Sequence, residues 1–326
     1  MTKKIYLLFA GLIIIILAAF SIYFYLSRNQ AVASTKTNIL RIGHTKSSTD
    51  LMLFVAQEQG YFTKENLNVE LKAQNSGNEI VNGIIKGDLE AGCCTGITQV
   101  FDANQISPNK IKLFSLNDDS KMKPWNKLLV KKDSDIKDLT DLSGKKIGVF
   151  PGSNATAIFK TYLSSKSIDP NEIELVQLVS STQLQALEVG SIQALWTYEP
   201  TTTIALNQDK YRSIDESIYS KVNSKANMGA GYISADFIQK NPEQAKKFVE
   251  AMDQANIFIR QNPALAANYL PKYTNINPEL VTKVVLTDFH TNIESDPKSL
   301  QATADFLAQI GVIKQKIDVK DLVYKI

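Results

Sequence analysis

The stretch Lys146-Ile147-Gly148-Val149-Phe150-Pro151-Gly152-Ser153-Asn154-Ala155-Thr156 decides the reading of this chain. Its first half is a short β-like run, its second half opens a helix that extends to Ser164, and Pro151-Gly152 stands between them. Gly lets a backbone come close to a bound molecule. Ser or Asn caps the helix while its first N–H groups point outward, a receptor for an anion or a polar oxygen. Open α/β sheets bind their ligands at such turns, where strands end and helices begin. Taken alone the turn is only a helix cap.

Working outward, the same alternation recurs. Leu40–Ile42, Val69–Leu71, Glu90–Cys94, Lys112–Leu116, Lys127–Val130, Ile173–Val179 and Ala194–Tyr198 are expected strands, and Leu51–Gln59, Asn78–Ile85 and Gln183–Val189 are expected helices. This βα order predicts an α/β protein with parallel-type sheets covered by helices. The last hundred residues are expected to be mostly helical. In Pro242–Gln261 the residues Phe248, Ala251, Met252, Ala255 and Phe258/Ile259 fall at a spacing of three to four and form one apolar stripe. Asn241-Pro242 starts that helix and Asn262-Pro263 stops it.

The N-terminus carries an address. Lys3 and Lys4 precede an uncharged run from Ile5 to Leu26, about 33 Å long as a helix and so enough to cross a hydrocarbon core. The lysines favour a cytoplasmic N-terminus and export of everything after Arg28. The run is either a retained anchor or a signal peptide cut after Ala31-Val32-Ala33, and no nearby Cys allows a lipid anchor. Residues 27–37 are a polar linker. The remaining chain, roughly 290 residues, is too long for one ordinary core and suggests two lobes. With a net charge of +3 and mixed signs, no basic stripe for nucleic acid is present.

Several chemistries are missing from the sequence. The histidines are His44 and His290, and the cysteines are the neighbours Cys93 and Cys94, so no spacing suits a closed zinc site. Ser143-Gly144-Lys145-Lys146 lacks the upstream Gly and the Ser/Thr of a phosphate loop, and there is no G-x-S-x-G or H-E-x-x-H. A ring between adjacent cysteines is strained, so Cys93 and Cys94 are expected to be small packed residues rather than a disulfide. No catalytic residue, metal or cofactor is expected.

The order of several short motifs then resembles a known family. Leu142-Ser143-Gly144-Lys145-Lys146-Ile147-Gly148-Val149, Gly152-Ser153, Gly190-Ser191-Ile192-Gln193-Ala194 and Tyr198-Glu199-Pro200 resemble the second lobe of the sulfonate/nitrate/taurine and thiamine-precursor (SsuA/THI5/NMT1-like) substrate-binding proteins of ABC importers. Arg41-Ile42-Gly43, Gly60-Tyr61-Phe62, Gly87-Asp88 and the turn at 93–96 resemble the first lobe, and Asn241-Pro242 and Gly311-Val312-Ile313 resemble its later part.

The resemblance implies the type 2 periplasmic-binding-protein fold: two α/β lobes joined by two crossovers, with a ligand cleft between them. It places the crossovers near Ser115–Lys132 and Asn223–Gly231. Residues 1–37 would be anchor or signal plus linker, 38–116 and 230–326 lobe one, and 117–229 lobe two. Carried over, His44, Thr45, Ser47, Cys94 and Thr95 line the first lobe's wall. Ser153, Asn154, Trp196, Tyr198 and Glu199 line the second's. The implied partners are a small-molecule ligand and ABC permease subunits, with the protein a monomer in the periplasm or on the outer face of the cytoplasmic membrane. The chain departs from the sulfonate binders at Asn154, Cys93-Cys94 and Gln193, and no Arg falls in these loops. A sulfonate, taurine, nitrate or a thiamine-pyrimidine-like ring all stay open as ligands. So do a membrane-tethered sensor and, on the same scaffold, a pyrimidine-forming enzyme.

Overall fold

In a computed structural model, Phe20 and residues 39–118, 122–223 and 227–326 are described. The expected anchor or signal and most of its linker lie outside the described residues. Among the described residues no helix is long and apolar enough to cross a membrane.

Two sheets organise residues 39–326. The first contains β1 (Leu40–His44), β2 (Val69–Ala73), β3 (Ala91–Gly96), β4 (Ile111–Asp118), β10 (Asn227–Ser234) and β11 (Asp288–Phe289), in the order β11-β4-β10-β3-β1-β2. The second contains β5 (Asn126–Lys131), β6 (Lys146–Val149), β7 (Glu174–Gln177), β8 (Ala194–Tyr198) and β9 (Tyr211–Glu216), in the order β7-β6-β8-β5-β9. The chain leaves the first sheet after β4 and returns to it at β10. Asn227 Nδ2 donates to Asp118 Oδ1 (2.7 Å), which ties the two passages together where they meet.

The sheets are mixed, which corrects the expectation of parallel sheets. β1 pairs in parallel with β2 and β3, and β6 with β7 and β8, as the βα units require. β10 runs antiparallel between β3 and β4, and β5 antiparallel between β8 and β9. These are the strands that follow or precede a passage between sheets, so no crossover helix sets their direction. β9 and β10 escaped the sequence reading. β9 is half exposed, and β10 is interrupted by Gly229 and Gly231. A Cβ at Gly231 would lie 2.4 Å from the Phe114 ring, so packing rather than propensity demands Gly there.

Five helices matter for the site: α1 (Leu51–Glu58), α2 (Gly77–Lys86), α3 (Thr98–Ile106), α4 (Ser153–Ser165) and α5 (Thr201–Asn207). A sixth, α6 (Pro242–Gln261), buries Phe248, Ala251, Met252, Ala255 and Ile259 and packs on α1. That is the stripe its three-to-four spacing predicts. α2 starts where the Ser76 side chain accepts from Glu79 N–H (3.3 Å), and ends at Gly87 with φ +82°.

Candidate functional site

The carboxyl ends of β1, β3 and β4 face those of β6 and β8 across an enclosed cavity of about 50 Å³. The two lobes touch around it. Thr98 Oγ1, at the start of α3, donates to Asn154 Oδ1 on α4 (2.8 Å). Ser48 N–H and Ser47 Oγ both donate to the Glu199 carbonyl (3.2 and 3.3 Å). Gly96 lies so close to Asn154 that a Cβ on it would meet Asn154 Cγ at 2.4 Å. The lobes are therefore shut over the cavity.

Of the residues expected at the site, Thr45, Ser47, Cys94, Thr95, Asn154 and Tyr198 line it. Most of their polar atoms are already engaged. Backbone N–H groups of Thr45 and Ser47 donate to Asp50 Oδ2 (3.0 Å each), and Thr45 Oγ1 approaches the same oxygen at 3.1 Å. Burial pushes the fully enclosed Asp50 carboxyl up to about 7, against the opposing hydrogen bonds from Ser47 and Thr45. Thr95 Oγ1 lies 3.0 Å from the Tyr232 hydroxyl. Asn154 Nδ2 donates to Tyr219 (3.0 Å), whose hydroxyl also lies 2.9 Å from that of Tyr198. Ser153 is the first residue of α4. The turn before it needs Gly152, whose φ is +124°, and Gly152 N–H donates to Gln177 Oε1 (3.1 Å) rather than into the cavity.

His44, Trp196 and Glu199 stand elsewhere. His44 is buried edge-on to Phe54 (5.3 Å), and burial, then nearby Lys46, bring its pKa down to about 4. Trp196 is fully buried, stacks on Phe159 (5.2 Å) and donates Nε1–H to Asn126 (3.2 Å). Alternation along β8 turns it into the core while Tyr198 reaches the cavity. Glu199 caps α5: its carboxylate accepts Thr203 N–H (3.1 Å), Thr203 Oγ1 (2.9 Å) and, from the first lobe, Val285 N–H (3.4 Å). Burial raises the Glu199 carboxyl above its usual range, against those bonds. Lys46 lines a neighbouring outer groove, not the cavity.

Cys93 and Cys94 are joined as a disulfide, which corrects the expectation that they stay unlinked. Cys94 adopts φ +83°, an uncommon backbone for a non-glycine residue at a strand end, and this lets neighbouring side chains turn toward each other. Both are buried, and Cys94 forms part of the cavity wall.

The sequence reading missed four residues with open hydrogen-bonding capacity. Gln99 (6% exposed), Asn117 (5%), Trp125 (7%) and Thr287 (5%) all line the cavity. Gln99 Oε1, both amide atoms of Asn117, Trp125 Nε1 and Thr287 Oγ1 find no hydrogen-bond partner within the protein. Buried polar atoms are rarely left so. Trp125 also supplies an aromatic wall with Tyr198 (5.2 Å between centroids), extended by Phe150 (5.5 Å from Tyr198). Asn117 and Asp118 end β4, and Trp125 precedes β5, so all three sit in the first passage between lobes. A polar tip on a core strand was the available signal. Asp118, also on the wall, accepts from Asn227 and from His290 Nε2 (2.9 Å). Burial pushes its carboxyl up, but those hydrogen bonds outweigh burial and hold it below the usual carboxylate range.

Two α/β lobes closed over a polar cavity at their strand ends are the architecture of type 2 periplasmic binding proteins. The alkanesulfonate-binding protein SsuA from Xanthomonas axonopodis pv. citri, solved bound to MOPS, superposes with a TM-score of 0.72 over 88% of this chain and 98% of its own, at 15% identity. The family model described as NMT1/THI5 like matches residues 49–266, and the chain belongs to that family. A putative aliphatic sulfonates-binding protein of Bacillus subtilis (strain 168) is 26% identical over 291 residues, 87% of this chain and 85% of the relative. A 4-amino-5-hydroxymethyl-2-methylpyrimidine phosphate synthase of Aspergillus parasiticus is 26% identical over 246 residues, 71% and 68% respectively. Binding proteins and an enzyme thus both stand among its relatives.

Proposed function

We propose that this chain is an extracytoplasmic solute-binding protein of an ABC importer. It captures a small polar molecule between its lobes and presents the closed form to permease subunits. The observation that carries this reading is the shut cavity whose wall holds buried polar groups with no partner in the protein. Such groups are costly until a guest satisfies them. A ligand that fits only the closed arrangement shifts the lobes toward it, which is the signal a transporter reads. Family membership and the sulfonate-binding relative support the same reading. The ligand classes it covers are sulfonates, taurine, nitrate and thiamine-pyrimidine-like rings. The N-terminal run keeps the protein at the outer face of the cytoplasmic membrane as an anchor, or releases it after signal cleavage; the protein acts as a monomer.

The synthase relative favours a second reading, an enzyme on the same scaffold. The cysteine-rich run that the resemblance leads one to seek before the second crossover reads Met228-Gly229-Ala230-Gly231 here, without Cys. That departure favours binding over synthesis.

Calorimetric titration of the full chain against sulfonates, nitrate, taurine and aminopyrimidines tests the proposal. Saturable heat at one site per chain with unchanged ligand is expected. Chemical turnover of a bound pyrimidine would replace the binding reading with the enzymatic one.

A further inference from the structure

We propose that the cavity takes a small, flat nitrogen-containing ring, uncharged or singly protonated and bearing an N–H donor, and rejects ionised oxyanions such as sulfonates and nitrate. This rests on the solute-capture reading above and narrows its ligand.

The balance of open hydrogen-bonding groups carries the inference. Trp125 Nε1 and Asn117 Nδ2 can only donate, Gln99 Oε1 and Asn117 Oδ1 can only accept, and Thr287 Oγ1 can do either. An oxyanion offers acceptors alone. It would engage the donors but leave Gln99 Oε1 and Asn117 Oδ1 buried and unmatched, each at a cost of about fivefold or more in affinity. A ring with a ring nitrogen and an exocyclic N–H presents a donor and an acceptor side by side. The Asn117 amide matches that pair with two parallel hydrogen bonds, as amide side chains do with adenine.

Charge points the same way. Asp118 places a carboxylate on the wall, hydrogen-bonded from behind by Asn227 and His290. Among the described residues no Lys, Arg or His lines the cavity to offset it. A sulfonate would enter beside a like charge at low local dielectric. Shape agrees as well, because Trp125, Tyr198 and Phe150 offer flat faces on which a ring stacks.

The test is equilibrium dialysis of the full chain against a small-molecule extract of the cells that produce it, with mass spectrometric identification of what is retained. Titrations with 4-aminopyrimidine, methanesulfonate and nitrate run in parallel. Retention of a neutral or cationic nitrogen ring supports the proposal, as does heat from 4-aminopyrimidine with none from the two anions. Retention of an anion or of a compound without such a ring overturns it, as does saturable binding of methanesulfonate or nitrate. Retention of nothing from the extract sinks solute capture itself, and this proposal with it. Asn117→Ala should weaken binding of the retained ring about tenfold or more, with an unchanged melting temperature. Equal affinity in that variant would refute the role given to the Asn117 amide.

Discussion

Replacing Gly96 by Ala should hold the lobes apart while leaving each lobe folded. A Cβ at position 96 would lie 2.4 Å from both Cγ and Nδ2 of Asn154 and 2.6 Å from its Cβ. Carbon atoms in contact normally rest at about 3.5–4.0 Å, so the overlap exceeds about 1 Å. Asn154 cannot swing clear, because its Cβ is fixed to α4 and its amide is held by Thr98 and Tyr219. Gly96 is not among the glycines with positive φ, so the alanine backbone itself is tolerated. Relief comes by opening the cleft. Overpacking costs about 1–3 kcal/mol, and losing the Thr98–Asn154 hydrogen bond costs about 0.5–1.5 kcal/mol. Together these disfavour closure by about 1.5–4.5 kcal/mol, or at least about tenfold. Apparent affinity should fall by at least that factor if the ligand needs the closed form. Calorimetry gives the affinity, small-angle X-ray scattering gives the radius of gyration at saturating ligand, and circular dichroism gives the melting temperature. Affinity within about twofold of the parent would refute the reasoning. So would weakened binding that simply tracks a collapse in melting temperature.

Three further outcomes follow from the same geometry. Trp125→Phe keeps the aromatic wall but deletes a buried N–H with no partner, so the unliganded melting temperature should hold or rise while affinity drops about two- to tenfold; a lower melting temperature with unchanged affinity would show the indole N–H to be structural. Asp50 has a raised pKa in the folded state, so it holds a proton there that the unfolded chain has lost, and its contribution to stability declines as pH rises from about 4 toward 7. The stability gap between the parent and Asp50→Asn, followed by denaturant melts, should narrow across that window; a constant gap contradicts the buried state assigned to this carboxyl. Finally, denatured but unreduced protein should leave both Cys93 and Cys94 unlabelled by a thiol reagent, and reduction should expose both. Labelling without reduction would remove the disulfide from the cavity wall.

Much of the scaffold was legible because it obeys local rules. The strands β1, β2, β3, β6 and β8 are short apolar runs between turn residues, and α6 carries its stripe at helical spacing. β10 and β9 were not legible: one owes its glycines to the Phe114 ring, which is distant in sequence, and the other exposes much of its surface. At the site the residue types that looked suited to grip a ligand were only half the answer. Thr45, Ser47 and Asn154 do reach the cavity, yet Asp50, Glu199, Thr98 and Tyr219 absorb much of their hydrogen-bonding capacity. Glu199 reads as a ligand contact in sequence and turns out to cap α5 and bridge to Val285.

What the order of residues determined unaided was the alternation of strand and helix, the division into two lobes, and the placing of a pocket at strand ends, because these follow from periodicity and turn chemistry within a few residues. Which polar atoms remain open inside that pocket was decided only in three dimensions. A donor is spent or available according to whether an acceptor from another element comes within about 3 Å. Gln99, Asn117, Trp125 and Thr287 became the open set because the closed lobes brought partners to the residues around them and none to these four.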